Sequence, residues 1–502
     1  MVQYALRDIS GESTEEDNMN VVRAIGIAFF SLVVWPDLAP AQSWQPLTNQ
    51  PTFGASDAHL LTDGTVIVQR FFAGEHYRLT PDAFGDYVNG TWSQLATMPP
   101  DYGPLYYASA VLADGRYLVE GGEYNLGGGG TWTNRGAIYD PVSNTWENVA
   151  PPTGWNNIGD AQSTVLADGR FLLAMPFDTR IAILDPVTLT YTNFNPPKDD
   201  RNDEEGWTLL PDGSVLTVDV LAAPFSQRYV PSLNQWVDAG NTIVNLVDRA
   251  SQEVGPAVLR PDGTVFATGA TGHNAIYDTA TDTWAVGPDF PNVSGEGQYD
   301  IADGPASLLP GGNVLCAASP GIFRRPTHFW EFDGTNLIQV GDIPRGSSIS
   351  SYEARMLLLP TGQVLLTDGS QDIEVYTAPG TPDPAWAPTI TSSPTNLQLG
   401  VTYTISGTQF NGLSQGAAYG DDSQSATNYP LVRITNLGTG HVFYARTHDH
   451  SSMGVATGAA IVSTLFDVPV NAELGDSDLA VVTNGIASQS ISVTITVSSA
   501  LH

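Results

Sequence analysis

The chain has 502 residues, 53 of them acidic and 19 basic, for a net charge of −34 at neutral pH. So acidic a surface repels phosphate backbones, which excludes nucleic acid as a partner. Hydrophobic residues make up 42% and charged residues only 14%, with 50 Gly and 35 Pro, which excludes global disorder and argues against long surface helices. The single cysteine, Cys316, excludes an internal disulfide and any multi-cysteine metal site.

Residues 1–41 read as an N-terminal extension and signal peptide. The first eighteen residues are polar and acidic, and Met19 is the expected true start. Arg23 precedes an apolar run at 24–35, and Ala39-Pro40-Ala41 has the small-x-small form of a cleavage site. The run is short for a bilayer span, so the expected product is secreted or periplasmic and free of the membrane after cleavage.

Residues 42–378 contain seven copies of one unit. Each opens with an apolar strand, a turn and a second apolar strand, as in AHLLTDGTVIV, SAVLADGRYLV and LLLPTGQVLLT. The turn positions are Asp63, Asp114, Asp168, Asp212, Asp262, Gly311 and Thr361. Asp-Gly between apolar runs predicts a two-residue hairpin with both turn residues at positive φ. A third strand and a Trp- or Tyr-bearing fourth follow, as in AIYDPVSNTWENV. Four strands per unit of about fifty residues predict an all-β, seven-bladed propeller of the kelch type. The seventh unit lacks its Trp strand, and Ser43-Trp44-Gln45-Pro46-Leu47 matches Thr91-Trp92-Ser93-Gln94-Leu95, so the N-terminal strand is expected to close the ring. A Pro-rich linker at 379–388 leads to residues 389–502, whose period-two Thr/Ser/Val/Ile pattern predicts an immunoglobulin-like β-sandwich.

The first strand of each unit is innermost, so its opening residues face one mouth of the central channel. Counting eight back from each turn gives Ala55, Tyr106, Asp160, Glu204, Val254, Asp303 and Glu353; Asp57, Tyr107, Glu253 and Tyr352 lie close by. So many carboxylates in one mouth demand either a cation among them or raised pKa values. The first supplies hard oxygen ligands and the second a general acid.

This plan resembles the galactose oxidase and glyoxal oxidase family of copper radical oxidases. Tyr106, in the segment Tyr106-Tyr107-Ala108-Ser109-Ala110-Val111, falls on the family's thioether-linked tyrosine, and Tyr124 after Gly121-Gly122 on its stacking ring. Tyr352, before Leu357-Leu358-Leu359-Pro360, falls on the axial tyrosine. The resemblance implies a metal-binding histidine from the C-terminal sandwich, assigned to His450 in His450-Ser451 with His448 as its rival. Asp57 stands at the place of the linking cysteine and Glu353 at that of a second histidine. The expected cofactor is therefore one metal ion, copper by resemblance but in a harder oxygen set, with no Tyr-Cys cofactor.

Three functions compete. The first is a metal-assisted enzyme acting on a carbohydrate or small alcohol or aldehyde, with Tyr352, Glu353, His450 and Tyr106 on the metal. The second is a metal-free glycan hydrolase or lyase using pairs among Asp57, Asp160, Glu204, Glu253, Asp303 and Glu353. The third is a non-catalytic propeller whose mouth captures a sugar or a cation, with Tyr106, Tyr107, Tyr124 and Trp155 stacking on sugar faces. An enzyme ranks ahead of a binder, and the chain is expected to be a monomer.

Overall fold

A computed structural model describes residues 43–497. The extension, the start at Met19 and the cleavage site fall outside the described residues. No helix among the described residues is long and apolar enough to cross a membrane.

Seven small antiparallel sheets follow one another along the chain as propeller blades I to VII. Their inner strands are Ala55–Leu60, Ala108–Val111, Ser163–Val165, Thr208–Leu209, Ala257–Leu259, Ala306–Leu308 and Arg355–Leu358. These strands are buried almost throughout, since each blade is covered by a neighbour on both faces. Ser43–Pro46 pairs with Glu374–Thr377 as the outer strand of blade VII, with Trp44 opposite Tyr376. The ring is thus closed by residues from the two ends of the propeller, as the matching Trp motifs predict.

The tryptophan of the outer strand staples its blade to the preceding one. The indole N–H donates to a carbonyl in four cases: Trp92 to Asn49, Trp146 to Ala96, Trp284 to Ala239, and Trp44 to Gly341. Behind it stands a tyrosine of the third strand, as in Tyr139–Trp146 at 5.2 Å and Tyr277–Trp284 at 5.0 Å between ring centroids. Trp44 also packs on Phe329 of blade VI at 4.8 Å. Trp44→Ala is therefore expected to lower stability by about 3 kcal/mol and loosen the closure, read as a lowered denaturant midpoint.

The Asp-Gly turns differ from the predicted two-residue form. Only the glycine takes positive φ, as at Gly64 (76°) and Gly115 (83°). Leu61 N–H donates to Thr65 O and Gly64 N–H to Leu61 O, which makes a three-residue loop ending in a left-handed glycine. The aspartate's work is done by its side chain: Asp63 Oδ1 accepts from Thr65 N–H, and Asp114, Asp168, Asp212 and Asp262 repeat the bond.

The C-terminal strands form one sheet that curls over a core including Ile405, Phe466, Val432, Leu479 and Val493. Between Thr402–Thr408 and Leu431–Asn436 the chain leaves this sheet and threads the propeller channel. Ala417–Ala418 pairs with Ala306–Leu308 and becomes the innermost strand of blade VI. Gln415 accepts from Leu209 N–H and donates to Thr164, Tyr419 O–H donates to Tyr352 O, and Tyr429 O–H donates to Leu60 O. This plug therefore touches blades I, III, IV, VI and VII, and it carries its own acids to the mouth.

Candidate functional site

A cavity of about 510 Å³ opens where the inner strands begin. Propeller strand entries bring Asp160, Glu204, Glu253 and Asp303 to it, and the plug adds Asp421 and Asp422. Tyr106, Tyr124, Tyr352, Phe72 and Phe323 form its aromatic walls. The local cause of this convergence is a backbone device. Tyr106, Glu204 and Asp303 hold the same place in three blades and share left-handed backbone, with φ of 53°, 59° and 45°. A non-glycine residue in that region costs about 1 kcal/mol or more, and here it breaks the strand's alternation at the channel edge.

Two carboxylate triads share Glu204. Asp160, Glu204 and Asp421 bring one oxygen each within 4.8 Å of one another, and so do Glu204, Glu253 and Asp303. Burial pushes the Asp160 carboxyl up to about 7, with Glu123 repulsion adding to it. Burial and then Asp303 push Glu204 up to about 10. Glu253 is raised further by burial and by the Asp303 charge, and its protonated carboxyl donates a hydrogen bond to the Asp303 carboxylate. Asp421 and Asp422 are raised by the same loss of solvent. Oε2 of Glu253 and Oδ2 of Asp422 are buried without a hydrogen-bond partner. A third acidic group, Asp200, Glu205 and Asp219, is already filled: the Lys198 ammonium lies 2.8, 2.6 and 3.7 Å from them.

The structure brings Tyr106, Tyr124, Asp160, Glu204, Glu253, Asp303 and Tyr352 together around this one cavity. It places the others elsewhere. His450 is a correction. Its N–H donates to Ala113 O, beside the Asp114 turn, and its Nδ1 meets Thr464 Oγ1 at 2.9 Å. Tyr106 precedes the inner strand of blade II and Ala113 follows it, seven residues on, roughly 20 Å at strand rise. His450 therefore sits at the opposite end of the ring, with its pKa pushed down to about 3 by burial. His448 is also excluded as a ligand here, because it pairs with Asp449 and Asp467 on the C-terminal sheet.

Four further expectations are corrected. Tyr107 is a core residue, 1% exposed, whose O–H donates to Gln69. Trp155 is 2% exposed and packs near Arg180, so neither ring faces a sugar. Asp57 is buried and does not line the main cavity; burial would raise its pKa, but the Arg355 guanidinium at 3.1 Å holds it below the usual carboxylate range. Glu353 accepts from Arg325 and from Ser350 N–H, and it lines a smaller neighbouring basin rather than the main cavity.

Sequence reasoning missed Glu123, Arg355, Tyr419, Asp421 and Asp422. Arg355 lies 3.6 Å over the Tyr419 ring and 5.4 Å from that of Tyr106. The usable signal was Gly420-Asp421-Asp422, which precedes the Leu431-Val432-Arg433 strand, whereas the histidines follow it.

The architecture is similar to that of a fungal alcohol oxidase "with catalytic diversity among the AA5 family, in complex with copper", at 14% identity and a TM-score of 0.52. The match covers 91% of this chain and all of that one. The likeness is one of fold. A virginiamycin B lyase from Staphylococcus aureus, solved with quinupristin, aligns over 67% of this chain and 99% of its own at 11% identity and a TM-score of 0.49. No family model matches the sequence, and no curated protein matches it.

The residues here do not fit copper held by phenols and imidazoles. No histidine lines the cavity among the described residues, and Cys316 is buried in the core of blade VI. Beside Tyr106 stands a permanent guanidinium, and burial pushes the Tyr106 phenol well above its ordinary pKa. Seven carboxylates, Glu123 among them, instead favour a hard cation over a transition metal that prefers nitrogen.

Proposed function

We propose that the channel mouth is an enzyme site that binds one hard divalent cation and uses it to hold and polarise a hydroxylated substrate, a carbohydrate or a small alcohol or aldehyde. The observation that carries this reading is the sharing of Glu204 by two triads, together with the unpartnered buried oxygens of Glu253 and Asp422. Oxygens within 4.8 Å of one another match the span across a single calcium-like ion, about twice a 2.4 Å bond. The cation would draw electron density from a bound hydroxyl or carbonyl oxygen. Glu253, protonated against Asp303, would donate or recover the proton. The aromatic walls would pack on the apolar face of a sugar.

The test is calorimetric titration with Ca²⁺, Mg²⁺ and Mn²⁺. At least one should bind with a roughly micromolar Kd. Binding should expel protons, because Glu204 holds one and Asp160 holds one in part at neutral pH, and it should tighten from about pH 6 to about pH 8. Absence of binding at millimolar concentrations of all three would reject the cation. The Glu253–Asp303 hydrogen bond supports a second reading in that case, a metal-free acid/base pair acting on a glycan.

A further inference from the structure

Beside the main cavity lies a basin of about 250 Å³ at the junction of blades I and VII. Leu105, Tyr106 and Tyr352 line both spaces, so one ligand could lie across them. The basin differs from its neighbour in chemistry. The main cavity offers seven carboxylates, whereas the basin presents two guanidinium groups, Arg345 and Arg355, in a chain with only 19 basic residues.

The carboxylates of the basin are already engaged. Glu353 accepts from Arg325 at 3.1 and 3.2 Å and from Ser350 N–H at 2.7 Å. Asp368, with no exposed side-chain surface, accepts from Arg345 Nε at 2.8 Å and from Ser370 N–H. Asp57 takes Arg355 Nε, and Arg355 Nη1 donates to the carbonyls of Tyr352 and Ala354. Each guanidinium is thus oriented through Nε by a buried acid. Among the described residues no hydrogen bond uses either Nη of Arg345 or Nη2 of Arg355. These are the free edges of two planar forks, the geometry that recognises a carboxylate.

We propose that this basin is a subsite for the carboxylate of an acidic sugar, so that the substrate is a uronate-bearing glycan. Its ring hydroxyls lie toward the acids of the main cavity and its carboxylate toward Arg345 and Arg355. The proposal rests on the reading of the mouth as a carbohydrate site.

The experiment compares trisaccharides of galacturonate, glucuronate and mannuronate with the same sugars after their carboxyls are reduced to hydroxymethyl groups. Affinities are measured by calorimetry in the presence of calcium. At least one acidic sugar should bind about tenfold tighter than its reduced form, the size of one added charge-assisted hydrogen bond. Arg345→Gln should erase that ratio. Because it also strips Asp368 of its partner, Arg345→Lys is the companion: it keeps a charge beside Asp368 but loses the fork, and the ratio should fall while the melting temperature holds. A ratio near one for all three sugars, or an equal loss of acidic and reduced sugars in both variants, overturns the subsite. Calcium titration of the same wild-type sample keeps the two readings apart: calcium bound with no preference for acidic sugars sinks the subsite alone, and no calcium bound sinks the cation.

Discussion

Glu204→Gln is expected to weaken divalent-cation binding by more than about 100-fold. Loss of a group that merely orients a ligand costs 10- to 100-fold, and Glu204 belongs to both triads. The same variant should change the pH dependence of the cation-free protein. Glu204 has a folded pKa of about 10 against 4.5 unfolded, and Asp160 about 7 against 3.8. For each group the stabilising contribution is complete below the unfolded value and is lost as pH rises through the folded one. Cation-free wild type should therefore lose stability steadily from the ordinary carboxylate range to about pH 10. The glutamine variant should lose less, because the amide never ionises. A bound cation should flatten the profile of wild type and leave that of the variant unchanged. Thermal melting across pH, with chelator and with calcium, reads all of this; identical slopes for the two proteins would contradict the placement of Glu204.

Arg355→Met is expected to cost about 3–5 kcal/mol, because it leaves Asp57 ionised and unpaired in the interior. Both partners are nearly inaccessible, with side chains 5% and 2% exposed. Arg355 also lies over the Tyr419 ring, so its loss should loosen the plug that carries Asp421 and Asp422. The double variant Asp57→Asn/Arg355→Met should recover much of the stability, since no net charge is then stranded. Denaturant unfolding of the three proteins separates the cases. An Arg355→Met protein within 1 kcal/mol of wild type would show that Asp57 is not held ionised by this pair.

The two positions that depart from the oxidase pattern carry one physical lesson. Asp57 and Glu353 look, as letters in a sequence, like new ligands or catalytic acids. Each is instead the counter-ion of an arginine, Arg355 and Arg325. A sequence shows that an acid is present, but its charge is neutralised or freed only by what folds against it. The same limit explains Tyr107 and Trp155. They stand one residue from Tyr106 and a few from Asp160, yet the left-handed residue Tyr106 is followed by a Tyr107 buried against Gln69, and Trp155 is sealed in the hydrophobic core.

The repeat, the seven blades, the closing Trp44 strand and four of the mouth acids, Asp160, Glu204, Glu253 and Asp303, were legible from sequence, because each rests on short-range physics. Turn chemistry, strand period and spacing from the turn repeat every fifty residues, and they placed Tyr106, Asp160, Glu204 and Asp303 at the channel edge. The plug was not legible. Its contacts join residues more than two hundred positions apart, such as Gln415 to Thr164 and Leu209, and a segment paired through a channel shows no periodicity of its own. Only the tertiary structure could decide that Asp421 and Asp422 enter the mouth while His450 lies at the far end, because Leu431-Val432-Arg433 enters the sheet in the direction that carries its preceding residues, and not its following ones, toward the acids.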